Sequence, residues 1–321
     1  MMLPWAIAGL AVVAAVAALL VPRGPEMTSP PVMRVETVLS PDGLSGTPGA
    51  TAILSPDGSR IAYVAGLDNR IHLRLADQLE GSPLSGTNGA EQPFFSPDGE
   101  WIAFFADRKL KKVSVFGGAP LTLCPSEGYR GGTWGPDDTI IFSPGATNGL
   151  YRVPATGGEP EELTVLDKTI SERSHRWPHF LPGGRAVLFT AQDSGTSFDD
   201  ARIEVLDLES MTRKVLQRGG SYASFIPTGH LVYIHEATLF AAPLDPEGLE
   251  LLDAPAPVLE NVFYDDRHGG AHFHASRAGH LLYRTGIPAG RTQSLSWLDR
   301  DGNRVQALAE QRDYENLSVS P

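Results

Sequence analysis

The chain has one cysteine, Cys124, in 321 residues, so it can build neither an intrachain disulfide nor a cysteine-based zinc site. In the run Pro120-Leu-Thr-Leu-Cys124 the thiol reads as a small buried strand residue rather than a nucleophile. Basic runs are scarce as well. The formal net charge is −12, and the densest basic stretch, Arg108-Lys-Leu-Lys-Lys112, reads as a hairpin connection between two apolar runs. Nucleic-acid binding needs a basic footprint, so nucleic acid is excluded as a partner. Three signatures of catalysis are missing too: there is no G-x-S-x-G elbow, no P-loop and no H-E-x-x-H, since His235-Glu236 lacks a second histidine at the required spacing. These gaps predict a chain that is not an enzyme and holds no cofactor and no metal. Beyond the N-terminal segment no stretch carries a helical period.

Turn-formers, by contrast, are plentiful. There are 34 glycines and 26 prolines, well above their usual combined share of about 12%. With no collagen-like period, that excess means short elements joined by many tight turns. The turns recur. Leu54-Ser-Pro-Asp-Gly-Ser-Arg-Ile-Ala-Tyr-Val-Ala65 returns as Phe95-Ser-Pro-Asp-Gly-Glu-Trp-Ile-Ala-Phe-Phe-Ala106. It decays to Trp134-Gly-Pro-Asp-Asp-Thr-Ile-Ile-Phe142, then to Leu181-Pro-Gly-Gly-Arg-Ala-Val-Leu-Phe189. Ile226-Pro-Thr-Gly-His-Leu-Val-Tyr233 and Ala275-Ser-Arg-Ala-Gly-His-Leu-Leu-Tyr283 follow, and Val319-Ser-Pro321 stands where a seventh copy would begin. The motif proline falls at 56, 97, 136, 182 and 227, and Arg277 replaces it in the sixth copy.

Steps of about 40–50 residues fit propeller blades of four strands each. Within one repeat, Gln92–Phe95, Trp101–Phe105, Lys111–Phe116 and Pro120–Cys124 read as the four strands, with Pro97-Asp98-Gly99 as the first turn. The fold class predicted is therefore all-β: a propeller of six four-stranded blades over residues 34–321, truncated as a seventh starts. Arg34–Leu39 and Leu317–Ser320 read as terminal strands that meet where the ring closes.

The N-terminal segment differs. Leu3 to Val21 carries no charge, and a helix of that length spans roughly the ~30 Å hydrocarbon core. Residues 1–22 are thus expected to be a transmembrane anchor in contact with the bilayer through residues 3–21, followed by a linker at 23–33. A cleaved signal peptide, with Ala15-Val16-Ala17 as the cleavage site, is the competing reading. Against it stand the missing basic n-region and the length of the apolar run.

Five residues are candidate ligand-binding groups at an axial channel mouth: Arg130, His175, Arg176, His272 and His274. His272 and His274 share one face of a strand, because side chains repeat every two residues, and inner-strand polar residues facing a water-filled channel account for them without a metal. Arg130 and Arg176 offer donors to an anion. Trp177 reads as packing between blades.

The repeat resembles the TolB-like, WD-repeat-like propeller family, whose blades carry a W-S-P-D-G-x-x-I-A-F signature, over about residues 34 to 321. Arg130-Gly-Gly-Thr-Trp-Gly-Pro136, Ser174-His-Arg-Trp-Pro-His-Phe-Leu-Pro182 and Leu295-Ser-Trp-Leu-Asp-Arg-Asp-Gly302 look like the extracytoplasmic propellers of bacterial transmembrane serine/threonine kinases. That resemblance implies a sensor or interaction module on the outer side of a bacterial inner membrane, single-pass, with a protein, peptide or small molecule as ligand. The kinase motifs themselves are absent from the chain. Two other roles remain open: accessory propeller of a prolyl-oligopeptidase-like peptidase, and free-standing TolB-like periplasmic scaffold.

Overall fold

The computed structural model describes residues 34–40, 43–46 and 48–286, with the backbone strands 296–298 and 304–307. The expected anchor, the linker and the 317–320 strand lie outside the described residues. Among the described residues no helix is long and apolar enough to cross a membrane.

The chain divides into two units, up to Val38 and from Leu39 onward. Of the first, residues 34–38 are described and carry no strand. The terminal strand expected at Arg34–Leu39 is not formed. Its apolar residues Val35 and Val38 are about three-quarters exposed, so no packing offsets the cost of ordering it.

The second unit is a β-propeller. Blade 1 comprises β1 (Ala52–Leu54), β2 (Arg60–Ala65), β3 (Arg70–Leu75) and β4 (Ser82–Pro83). Blade 2 is β5 (Glu91–Phe95), β6 (Trp101–Ala106), β7 (Lys109–Ser114) and β8 (Leu121–Pro125), close to the strands read from sequence. The basic stretch, however, is mostly strand β7, and only Asp107 and Arg108 turn. Blade 3 is β9 (Gly132–Trp134), β10 (Thr139–Phe142), β11 (Tyr151–Pro154) and β12 (Glu161–Glu162). Blade 4 is β13 (Glu172–Phe180), β14 (Ala186–Asp193), β15 (Arg202–Asp207) and β16 (Thr212–Arg218). Blade 5 runs β17 (Ser221–Ile226), β18 (His230–His235), β19 (Thr238–Asp245) and β20 (Glu250–Leu251), with β21 (Ala256–Leu259) also pairing to β19. Each is an antiparallel meander in chain order.

The described residues form five blades, not the six expected. After the short pair β22 (Tyr264–Asp265) and β23 (Gly270–Ala271), the sixth repeat yields a two-stranded hairpin, β24 (Phe273–Ala275) with β25 (Leu281–Tyr283). A further hairpin pairs β26 (Ser296–Leu298) with β27 (Arg304–Ala307) as a separate sheet. The sixth copy keeps the turn and its two flanking strands, but no third or fourth strand extends that sheet among the described residues.

The Ser-Pro-Asp-Gly turns are held by their own side chains. Ser55 Oγ donates to Asp57 Oδ1 at 2.5 Å and accepts from Arg60 N at 2.9 Å, while Asp57 accepts from Ser59 N at 3.0 Å. Blade 2 repeats this with Ser96, Asp98, Glu100 and Trp101. Gly58 and Gly99 both sit at φ +73°, where a β-carbon is strained. The hydrogen bond from Ser55, then those from Ser59, lower the Asp57 carboxyl to about 2.

Blade-on-blade packing makes the core. Ile102 and Phe104 of β6 pack with blade 1 (Ala62, Val64, Ile71), whereas Ala103 and Phe105 pack with blade 3 (Ile140, Phe142). Successive side chains of a strand point to opposite faces, so a middle strand buried on both faces reads as an unbroken apolar run. The same division recurs between blades 3 and 4 (Ile141 and Leu150 with Val187 and Phe189) and blades 4 and 5 (Leu188 and Val205 with Leu231 and Tyr233). The sixth-repeat hairpin fills the remaining place. Phe273 and Tyr283 pack on Val232 and Ile234 of blade 5, and Leu282 packs on Leu54 and Ile61 of blade 1.

Candidate functional site

The repeat places equivalent residues around the axis. Five positions before the motif proline stand Thr51, Gln92, Gly131, Trp177, Tyr222 and His272. At Gln92, Trp177 and Tyr222 the backbone takes φ of +46°, +56° and +54°, and the inner strands slip register there, between Glu91 and Phe94, Arg176 and His179, and Ser221 and Ser224. A bulge of this kind re-aims a side chain. Trp177 is the one that fills the axis. A β-carbon on Gly49, Gly131 or Gly270 would come within 2.6, 2.9 and 3.0 Å of Trp177 atoms. One indole from blade 4 thus reaches backbone beside blades 1 and 3 and the β22–β23 pair. It is buried, packs tilted against the Tyr222 ring at 5.1 Å between centroids, and donates from Nε1 to His268 O at 3.1 Å. Neighbouring positions are tied in turn: Gln92 joins Pro48 O and Gly131 N, and Tyr222 Oη accepts from Ala50 N at 3.0 Å.

Above this plug lies a cavity of about 480 Å³, in the range of small-ligand sites. Its rim is the repeat's own proline position, Pro56, Pro97, Pro136, Pro182, Pro227 and Arg277. Its wall is the position three residues earlier, Ile53, Phe94, Thr133, His179, Ser224 and His274. The wall is lopsided. Blades 1 and 2 give apolar residues, while blades 3, 4 and 5 and the sixth hairpin give a continuous crescent of uncharged hydrogen-bonding groups. Phe180 N donates to Thr133 Oγ1 at 3.3 Å, and Leu54 N donates to His274 Nδ1 at 3.2 Å. Both histidines have their pKa lowered to about 4. For His179 the causes are burial first and then the Arg277 charge; for His274 they are burial and then His179. The imidazoles are therefore neutral at pH 7, and His274, accepting at Nδ1, carries its hydrogen on Nε2. The cavity lining contains no Asp or Glu, and Arg277 is its one charged residue.

His179 Nδ1 lies 3.5 Å from Ser224 Oγ. That is too long for a working hydrogen bond, and a base with a pKa near 4 is far from the operating range of a general base. Among the described residues no group of three or more His, Cys, Asp or Glu is placed to share a metal.

Of the five residues singled out from sequence, His274 lines this cavity and the other four do not. His175 is fully buried, with Nδ1 hydrogen-bonded to Thr164 Oγ1 at 2.7 Å and Nε2 lying 3.0 Å from Glu172 Oε2. Arg176 is 2% exposed. It donates to Ser174 Oγ, His268 O and Ala146 O, and its guanidinium lies 4.6 Å from the Phe198 ring. Burial, then the charges of Arg130 and Arg173, lower its pKa to about 9. Arg130 is half-buried, donates to Tyr129 O, and through its own carbonyl accepts from Trp177 N at 2.8 Å. His272 is buried, 3.3 Å from Thr51 Oγ1 and tilted against the Phe263 ring at 4.4 Å between centroids. It contacts Thr51 and His274 contacts Leu54 N, but only His274 borders the cavity. The reading missed His179, Ser224, Thr133 and Arg277. Aligning the six repeats by position, rather than scanning for motif residues, was the signal that would have found them.

No family model matches the chain. Solved structures do. TolB from Acinetobacter baumannii is 17% identical with a TM-score of 0.53, over 69% of this chain and 55% of that one. The fold shared with that structure is a β-propeller. A functionally unknown protein from Desulfotomaculum acetoxidans is 12% identical over 82% of this chain and 86% of that one, with a TM-score of 0.54. Oligogalacturonate lyase from Vibrio parahaemolyticus is 13% identical over 74% and 75%, at 0.51. The propeller spans about half the length of the TolB structure, 55%. At such identities the likeness extends to the fold alone.

Proposed function

We propose that this chain is a binding module, without catalytic chemistry of its own, that takes its ligand in the axial cavity at the Pro-Asp-Gly end of the ring. The observation that carries the reading is the broken symmetry of the wall. A purely structural repeat has no reason to gather Thr133, His179, Ser224 and His274 on one side and Ile53 and Phe94 on the other, whereas a ligand site needs a few convergent polar groups against an apolar surface. The long Ser224–His179 contact and the weakly basic histidines support binding over hydrolysis. The resemblance of the stretches at 130–136 and 174–182 to kinase-linked propellers supports an extracytoplasmic sensor anchored through residues 3–21. A free-standing TolB-like scaffold would use the same cavity.

The test is a fragment screen on the full chain, read from the His179 and His274 imidazole and Trp177 indole NMR signals. Fragments that shift these signals, and that lose affinity when Ser224→Trp fills the cavity, are expected. Fragments that bind only elsewhere, or bind equally well to the Trp variant, would refute the site.

A further inference from the structure

The repeat that builds the cavity puts a proline at the rim in five copies, and the sixth has Arg277 there. That arginine is exposed, and its charge is felt by His179 within the cavity wall. No acidic residue lines the cavity to satisfy it. Next to it in the chain are the Ser276 and His274 positions of the same hairpin, and His274 presents its Nε2 hydrogen from a neutral ring fixed by the Leu54 N–H. The groups able to meet a ligand's charge are therefore one fixed cation and neutral donors. A dianion would leave one charge uncompensated in a partly desolvated cleft. A single carboxylate matches both the charge and the planar fork of the guanidinium. Opposite the crescent, Ile53 and Phe94 give that ligand's body an apolar wall.

We propose, resting on the reading of the cavity as a ligand site, that it selects an organic monocarboxylate. The carboxylate is held by Arg277 at the rim together with the N–H of His274 in the wall, and an apolar or aromatic body lies against Ile53 and Phe94.

The full chain is titrated with 3-phenylpropionate, its neutral amide 3-phenylpropanamide, and phenyl phosphate, following the His179, His274 and Trp177 signals. The acid is expected to bind about ten-fold or more tightly than the amide, the loss of one charge-assisted pair, and more tightly than the phosphate ester. In Arg277→Gln the acid's affinity falls to that of the amide, while the amide's is unchanged, which shows that the variant's cavity is intact. If the amide binds as well as the acid, if phenyl phosphate binds more tightly, or if Arg277→Gln changes the acid's affinity less than two-fold, the carboxylate assignment is wrong while the cavity remains a ligand site. If neither acid nor amide shifts the cavity signals, both readings fall together.

Discussion

The indole of Trp177 lies against the backbone of Gly49, so near that a β-carbon on the glycine would come 2.6 Å from the ring. Gly49 also has φ +84°, so two independent constraints forbid a side chain there. One belongs to the backbone, the other to an aromatic group contributed from far along the chain. Gly49→Ala is expected to destabilise the propeller by about 1–3 kcal/mol through overpacking and strain, and Trp177→Ala by about 3–5 kcal/mol through the void it leaves on the axis. In the double variant the two losses should fall short of additivity, because the clash needs the ring. Urea denaturation of the three variants measures this; strict additivity would mean that the contact is not made.

A second expectation concerns the charges inside blade 4. Glu172 is fully buried and accepts from Arg202 at 2.8 Å and Arg213 at 2.6 Å, while Arg202 also bonds Asp193 and Glu204. Burial alone would raise the Glu172 pKa, but the bonds from His175, Arg213 and Asp167 N outweigh it and hold the carboxyl far below its ordinary range. Arg202→Met strands Glu172, Asp193 and Glu204 with less compensation and should cost about 3–5 kcal/mol. Replacing the arginine and Glu172 together by apolar residues should cost less than Arg202→Met alone. Denaturant midpoints decide between the two outcomes.

Stability should fall as the pH drops from about 6.5 towards 4. His179 and His274 have folded pKa values near 4 against about 6.5 unfolded, so in that window the unfolded chain binds more protons and acidification favours it. The titratable or charged groups acting on the pair are each other and Arg277. None is an acid that would offset the effect. Replacing both histidines by glutamine, which keeps an acceptor for Leu54 N, should flatten the slope between pH 7 and pH 5 by an amount on the order of 1–3 kcal/mol. An unaltered slope in the double variant would show that these imidazoles are not the groups responsible.

Cys124 is buried, and burial, then the charge of Glu159, pushes its thiol up to about 11. Since the thiolate is the reactive form, a thiol reagent such as DTNB at pH 8 should label the native chain only through unfolding. Full labelling is expected in denaturant. Rapid stoichiometric reaction of the folded protein would contradict the burial.

Much of this fold was legible in the sequence because a blade is a local object. The Ser-Pro-Asp-Gly turn fixes its own geometry through the Ser55 and Asp57 side chains, and the apolar run of the strand that follows it lies within a few residues. Period, strand order and the all-β class follow from such short-range chemistry. The number of blades did not follow, because among the described residues the sixth copy has the turn and two strands of a blade but not the rest of its sheet. The terminal strand at Arg34–Leu39 failed for a related reason: alternation supplies a face but not a partner edge. The site was the least legible part. His175 and Arg176 read as groups at the channel mouth, but both are buried, with contacts to the Ala146 and Asn148 carbonyls of blade 3. His179, Ser224 and His274, separated by dozens of residues, share one wall only because ring closure brings equivalent repeat positions around a common axis. Sequence by itself determined the repeat and the conformation of each turn, since those depend on residues within a few bonds of one another. Only the tertiary structure decided that Trp177 fills the axis and that the polar crescent faces Ile53 and Phe94, because both depend on how far each inner strand bulges and on which neighbour it meets.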